Sequence, residues 1–172
     1  AIVAIISGFG NKSFCVGADL ADLPDMDGDA GMASLESIKW TSLQNNIWKP
    51  VICAVNGIAC GGGLHFVADS DIVIASDNAT FFDTHVKVGL VAGLEPVSLS
   101  RKIPLERVLR MSLIGGAEKI DANEAKSIGL ISEITKNENL MARAIEIANK
   151  IKIHSPSALA KTKKAIWQSQ EM

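Results

Sequence analysis

The chain is short of the residues that would announce several common classes. Its three cysteines, Cys15, Cys53 and Cys60, are an odd number with no CxxC pair, which argues against a disulfide framework and for a reducing compartment. No run approaches the roughly 20 continuous apolar residues of a membrane span, and no charged-then-apolar leader with a cleavage site precedes the first strand-like run. Basic residues are not in excess: 17 Lys and Arg face 19 Asp and Glu, so no overall positive field exists to attract nucleic acid. There is no internal repeat and no low-complexity tract. These absences lead to the expectation of a cytoplasmic protein that partners neither nucleic acid nor membrane. What is present is a chain of 172 residues that is 48% hydrophobic, enough for one domain with a substantial core and a single active site.

The apolar run from Ala1 to Ile6 reads as a buried strand, and turn formers follow at Ser7-Gly8-Phe9-Gly10-Asn11. A glycine turn at Val16-Gly17-Ala18-Asp19 comes next. The stretch from Leu20 to Gly31, with Pro24, Gly28, Gly31 and the aspartates Asp22, Asp25, Asp27 and Asp29, reads as a mobile loop or short helix. Helical spacing resumes at Trp40, Leu43 and Ile47 and stops at Pro50.

A strand from Val51 to Val55 then runs into Asn56-Gly57-Ile58-Ala59-Cys60-Gly61-Gly62-Gly63, and Leu64 to Ala68 can be helical. Backbone N–H groups at such a turn into a helix are unpaired and suited to an anion or a developing oxyanion. His65 lies three residues after Gly62, and helical side chains tilt toward the N-terminus, so its imidazole is expected to lean toward whatever the turn binds.

Asp71 to Ala75 suits a strand covered on both faces, and Ala79 to Phe82 is a further strand. Pro104 opens a helix whose apolar face is read as Leu105, Val108, Leu109 and Leu113, closed by Gly115-Gly116. Ala122 to Ser127 is a short helix ended by Gly129, and Leu130 to Ile134 returns to strand. Leu140, Ala144, Ile147 and Ile151 mark a longer amphipathic helix, and Ser155-Pro156 begins another that carries Lys161, Lys163 and Lys164. The order is mixed α/β with a helical tail.

In this order and spacing, Phe14 to Leu20, Lys49 to Gly63, Asp71 to Ala75 and Asn78 to Phe81 resemble the enoyl-CoA hydratase/isomerase (crotonase) family. The likeness continues through Val88-Gly89-Leu90, Leu113 to Gly116, Ala122 to Ile131 and Ser155-Pro156. It implies an α/β fold, a crotonase-like spiral of ββα units over 1–136 with a C-terminal helical region over 137–172. It also implies assembly as a homotrimer or hexamer. Set against that family, the chain is expected to lack the first strands and the final helices, including an end that helps close the acyl pocket.

The resemblance further implies a thioester enolate held by the backbone N–H groups of Ala18 and Gly62, with Val16, Gly17, Gly61, Gly63 and Gly93 at the substrate. Two donors aimed at one oxygen in a dry site contribute about 2.7 to 4 kcal/mol each where measured. No cofactor is bound permanently, and coenzyme A enters as part of an acyl-CoA substrate. The aspartates of the loop after Ala18 cluster where the nucleotide would pass, and carboxylates repel phosphate.

Hydratases of the family carry glutamates at the positions of His65 and His85. Imidazoles in both places are candidate catalytic acid/base groups near neutral pH, with a helix start favouring a neutral His65. A zinc site on the two histidines, with Asp83 or Cys60, matches no ligand spacing, so no metal is assigned. Cys60 reads as a small buried thiol rather than a nucleophile.

Phe82-Asp83-Thr84-His85 is similar to relatives that hydrolyse a C–C bond between two carbonyls. Their histidine-orienting aspartate would fall near Leu94, which cannot do that work; Asp83 or Glu95 either substitutes or is a solvated surface charge. The leading expectation is therefore hydration, dehydration or isomerisation of an acyl-CoA. Hydrolysis of a 1,3-dicarbonyl and a non-catalytic binding or assembly role are the alternatives.

Overall fold

The computed structural model describes residues 1–19 and 39–171. Asp22, Asp25, Asp27 and Asp29, the carboxylates set against coenzyme A above, lie outside the described residues. Two four-stranded sheets form the body. The first holds β1 (Ala4–Ser7), β3 (Val51–Val55), β5 (Ile72–Ser76) and β8 (Glu133–Thr135), in the order β1-β3-β5-β8. The second holds β2 (Ser13–Cys15), β4 (Ile58–Cys60), β6 (Thr80–Phe82) and β7 (Ile120–Asp121), in the order β2-β4-β6-β7. Around them stand α1 (Leu64–Ala68), α2 (Glu95–Leu99), α3 (Leu105–Ile114), α4 (Ala122–Ser127), α5 (Asn137–Ile151) and α6 (Pro156–Gln168).

From β1 to β6 the chain alternates between the sheets, a strand in the first followed by a strand in the second, so each excursion winds one turn of a spiral; β7 stays in the second sheet before β8 returns to the first. All three pairings in the first sheet are parallel, with Ala4 opposite Val51, Ile52 opposite Ile72 and Ile74 opposite Glu133. In the second sheet β2, β4 and β6 are parallel, and only β7 runs antiparallel to β6. Parallel neighbours need crossovers, and the ββα repeat supplies them.

β3 is buried along its whole length, and its alternate residues enter two different cores. Cys53 and Val55, with Val73 and Ala75 of β5, join the main core around Phe14, Leu64, Phe81 and Leu99. Ile52, Ala54 and Ile74 face the other way, onto Leu140 and Ala144 of α5. A strand covered on both faces has no polar positions to alternate, which is why Val51 to Val55 reads as one apolar run.

The first strand is an edge of its sheet, and it spans Ala4–Ser7 rather than the expected Ala1 to Ile6; its residues are half-buried at most. β8 likewise begins later than expected, at Glu133. No helix forms over Trp40, Leu43 and Ile47. A turn stands there instead, closed by Asn46 at a φ of 56°, and Trp40 and Ile47 are exposed. Asn45 Nδ2 donates to the Thr41 carbonyl at 2.9 Å, and Gln44 Oε1 accepts the Trp40 and Thr41 N–H groups at 2.7 and 3.0 Å. Side chains that satisfy local backbone groups in this way compete with a continuing helix.

In α3 the expected apolar face is also corrected. Leu105, Leu109 and Leu113 are exposed, whereas Val108 and Met111 are buried. The leucine stripe faces outward, and the core takes the face beside it. α5 matches its reading, with Leu140 and Ala144 buried and Ile147 and Ile151 packed at the margin.

Two lysines, Lys102 half-buried and Lys163 buried, tie the helical parts to the sheets. Lys102 donates to the Val67 and Ser70 carbonyls at 3.1 and 2.5 Å, at the end of α1, and so fixes the helix that carries His65. Burial holds its ammonium down to about 8. Lys163 of α6 reaches the Lys49 carbonyl at 2.9 Å and Asp71 Oδ2 at 2.9 Å.

Candidate active site

Three adjacent parallel strands of the second sheet, β2, β4 and β6, end side by side. Their carboxyl ends feed Val16 to Ala18, Gly61 to Gly63 and Asp83 to His85 respectively. Segments far apart in sequence are thereby placed together without any of them needing to be long.

The glycine turns meet at close range. A Cβ on Gly17, whose φ is +93°, would stand 3.1 Å from the Gly62 nitrogen, and a Cβ on Gly62 would stand 4.0 Å from the Ala18 nitrogen. A Cβ on Gly63 would come within 2.1 Å of the Cys15 carbonyl oxygen, so only glycine lets β2 pass the start of α1. Gly61, with φ +50°, faces Thr84 Oγ1 and His85 Cε1. The Ala18 and Gly62 nitrogens thus border one glycine-lined space, and backbone N–H groups at such a place are suited to binding a partly negative oxygen.

Both histidines stand at this junction, and neither is a free surface group. His65 is 5% exposed on α1, and its Nε2 lies 3.1 Å from Glu95 Oε1. His85 follows β6 and is partly buried; its Nδ1 lies 2.9 Å from Asp83 Oδ1 and its Nε2 lies 3.8 Å from the same Glu95 Oε1. Asp83 Oδ1 also accepts the His85 backbone N–H at 2.7 Å, which fixes the chain and the ring together. With Oδ1 so engaged, the ring carries a proton on Nδ1 and turns Nε2 toward Glu95.

The alternative of solvated surface charges is overturned for both carboxylates. Asp83 is fully buried and Glu95 is 5% exposed. Asp83 Oδ2 is buried with no hydrogen-bond partner among the described residues, a cost that the two bonds on Oδ1 offset. Glu95 opens α2, after a turn at Val86–Val88 and a reversal at Gly89. Its Oε1 also stands 3.9 Å from the point a Gly62 Cβ would occupy. The sequence names Asp83 and Glu95 as alternative partners for one imidazole; the structure uses both, one on each side of His85. That Glu95 reaches both rings has no linear signal, because it depends on how the 86–94 turn doubles back.

The hydrogen bond from His85 to Asp83 raises the imidazole above its ordinary value; burial opposes this and the Glu95 charge adds to it. For Glu95, burial pushes the carboxyl up, but the His65 hydrogen bond and the charges of both imidazoles outweigh it and the net displacement is downward. Charge separation within the cluster is thus favoured over a neutral one. Cys60, whose Sγ lies 3.6 Å from Thr84 Oγ1, is a buried thiol pushed up chiefly by desolvation, which suits packing rather than nucleophilic attack.

His65 also borders a cavity of about 300 Å³, shared with Gly93, Leu94, Val97, Trp48 and Asn46. Gly93 therefore shares a cavity with His65. Val16 is exposed at the turn after β2, whereas Gly63 is turned into the Cys15 contact. Among the described residues, no three His, Cys, Asp or Glu side chains are arranged to hold a metal ion. Nor is any helix among them long and apolar enough to cross a membrane.

Two ranks of parallel strands wound as a spiral, with paired glycine turns at the strand ends, define the crotonase fold. The family model for enoyl-CoA hydratase/isomerase matches residues 1–172, and the chain belongs to that family. It is 37% identical over 171 residues to an (E)-benzylidenesuccinyl-CoA hydratase of Thauera aromatica, covering 99% of this chain and 66% of that protein. It is 37% identical over 173 residues to a short-chain-enoyl-CoA hydratase of Clostridium acetobutylicum, covering 96% of this chain and 63% of that one. An enoyl-CoA hydratase/isomerase structure from Mycobacterium paratuberculosis superposes with a TM-score of 0.89 at 38% identity, covering 99% of this chain and 67% of that one. An enoyl-CoA hydratase structure from Bacillus anthracis gives 0.88 at 32% identity, covering 99% and 66%. The chain thus spans about two thirds of the length of the relatives it matches.

Proposed function

We propose that the protein is an enoyl-CoA hydratase/isomerase-like enzyme acting on an acyl-CoA thioester. The observation that carries this reading is the meeting of the Gly17 and Gly62 turns at the ends of β2 and β4, with His85 against Gly61 and both imidazoles gathered on Glu95 beside Gly62. In this reading both N–H groups donate to the thioester oxygen. The bonds strengthen as charge moves from the alkene onto that oxygen, so they favour the transition state over the substrate.

His65 and His85 carry the protons. In hydration, water adds at the β carbon while an imidazole takes its proton, and the resulting enolate is protonated at the α carbon. Isomerisation uses the same enolate without the water. Val16, Gly17, Gly61 and Gly93 line the substrate, and Gly63 sets the spacing of the turn. Coenzyme A enters only as the thioester handle of the substrate, no metal is assigned a role, and a homotrimer or hexamer is the assembly proposed on the family resemblance.

The names of the relatives favour CoA thioester chemistry. Neither hydrolysis of a 1,3-dicarbonyl nor a role without chemistry finds support among them. The test is a panel of enoyl-CoA thioesters and cyclic 1,3-diketones presented to the complete protein, followed by loss of the conjugated thioester absorbance. Turnover of an enoyl-CoA that falls in both His65→Ala and His85→Ala is expected. Cleavage of a diketone with no enoyl-CoA turnover would overturn the reading.

A further inference from the structure

The histidines leave one matter of chemistry open. A hydration cycle takes a proton from water at one point and delivers a proton to carbon at another, so the group that accepts and the group that donates end the cycle in exchanged states. Two glutamates facing one water can share its protons directly. Two imidazoles on different elements need a connection, and the structure holds one.

We infer that Glu95 is a positioning residue that links His65 and His85 into a single proton relay, with Asp83 holding His85 in the orientation the relay requires. This rests on the reading of the site as an enolate-forming one. The linking atom is Glu95 Oε1, which faces both ring nitrogens, His65 Nε2 at 3.1 Å and His85 Nε2 at 3.8 Å. The first lies within hydrogen-bonding distance. The second closes to it with a movement of about 1 Å, within the tightening that catalytic contacts undergo when substrate binds.

The step balances without any further reagent. As water attacks, an O–H bond breaks and a C–O bond forms at the β carbon; the alkene pair moves onto the thioester oxygen held by Ala18 and Gly62. The water proton goes to His65 Nδ1, and the charged ring passes its Nε2 proton to Glu95 Oε1. His85, its charge favoured by the carboxylates on either side, gives its Nε2 proton to the α carbon as the enolate collapses. Glu95 then returns its proton to His85 Nε2. His65, left neutral with its proton on Nδ1, regains its starting tautomer by exchange with water, and the cluster is restored.

The same geometry answers an electrostatic objection. A carboxylate near Gly62 would repel an enolate oxygen if it stood alone in a water-poor site. Here the charge on Glu95 is opposed by the His85 imidazolium, and His65 Nε2 stands 3.1 Å from the same oxygen. The Cys60 thiol on Thr84 is held neutral by burial, and Lys119 lies farther out, over the Phe82 ring at 4.8 Å.

The experiment compares Glu95→Gln, Glu95→Asp and Asp83→Asn in the complete protein, with nitrogen-15 NMR of both rings and steady-state kinetics on crotonyl-CoA. Glu95→Gln is expected to lower kcat by about 10²-fold with KM little changed, and Glu95→Asp to recover part of that loss. Glu95→Gln is also expected to move the His65 Nε2 resonance and to lower the pH midpoint of His85. Asp83→Asn is expected to lower the His85 midpoint while leaving the His65 resonance in place. A His85 midpoint unmoved by Glu95→Gln, or an unmoved His65 resonance, overturns the relay whatever happens to kcat. Absence of thioester turnover in the wild type would sink the functional reading instead, and the ring resonances would still decide the linkage.

Discussion

Lys163 of the last helix places its Nζ 2.9 Å from Asp71 Oδ2, at the entrance to β5. The carboxylate is shared: Oδ2 also accepts the Val51 N–H at 2.7 Å, and Oδ1 accepts Trp167 Nε1 at 2.7 Å. One aspartate therefore joins the starts of β3 and β5 to α6, and the lysine is almost fully buried in doing so. Replacing it by methionine keeps most of the volume but leaves Asp71 with two donors and the Lys49 carbonyl without its partner. Lys163→Met is expected to cost about 2–4 kcal/mol in urea unfolding, more than an exposed ion pair would. A loss under about 0.5 kcal/mol would show that the node contributes little.

Neighbouring glycines should behave in opposite ways. Gly63→Ala puts a Cβ 2.1 Å from a backbone oxygen, where nothing flexible can yield, so thermal unfolding should show a large loss of stability. Gly62→Ala meets nothing nearer than 3.4 Å and should fold nearly as well as wild type. Its methyl group would occupy the space beside the Ala18 nitrogen, and kcat/KM should fall by about 10²–10³-fold. Equal activity in Gly62→Ala and wild type would contradict the role of the two nitrogens.

The buried cluster makes stability depend on pH in two directions. Glu95 sits below its ordinary value, so the stability it contributes is present above about pH 4.3 and is lost as pH falls through its lower folded value. His85 sits above its ordinary value, so its contribution is full below about pH 6.5 and is lost as pH rises through the folded value. Both are present together between about pH 4.3 and 6.5. Urea midpoints measured across pH should show the His85 limb flattening in His85→Gln and the acid limb flattening in Glu95→Gln.

The two faces of α3 give a contrast that tests burial directly. Leu109 is 48% exposed and Met111 is 4% exposed on the same helix. Leu109→Gln should alter stability by less than about 0.5 kcal/mol, whereas Met111→Ala should cost about 2–5 kcal/mol. Thermal melts of the two variants, measured at a concentration where the oligomeric state is unchanged, would settle it.

Those leucines also mark where sequence reading stops. β3 and β5 were legible because strands covered on both faces carry unbroken apolar runs, and α5 because its buried side is a clean stripe. In α3 two apolar stripes lie side by side, and periodicity has no means of telling which one meets the core. The Trp40 turn failed for a different reason, since Gln44 and Asn45 capture backbone groups that a helix would have used. At the site, the paired turns and both histidines could be read from local motifs. The bridging position of Glu95 could not, because it arises from the path of the 86–94 turn and not from any spacing.

Asp83, His85 and Glu95 all belong to one short stretch of chain that leaves the end of β6, whereas the Ala18 and Gly62 nitrogens come from the ends of β2 and β4. Most of the acid/base inventory is thus carried separately from the backbone donors. A lineage could exchange its proton chemistry by altering that single stretch and residue 65, while inheriting the carbonyl-holding turns intact.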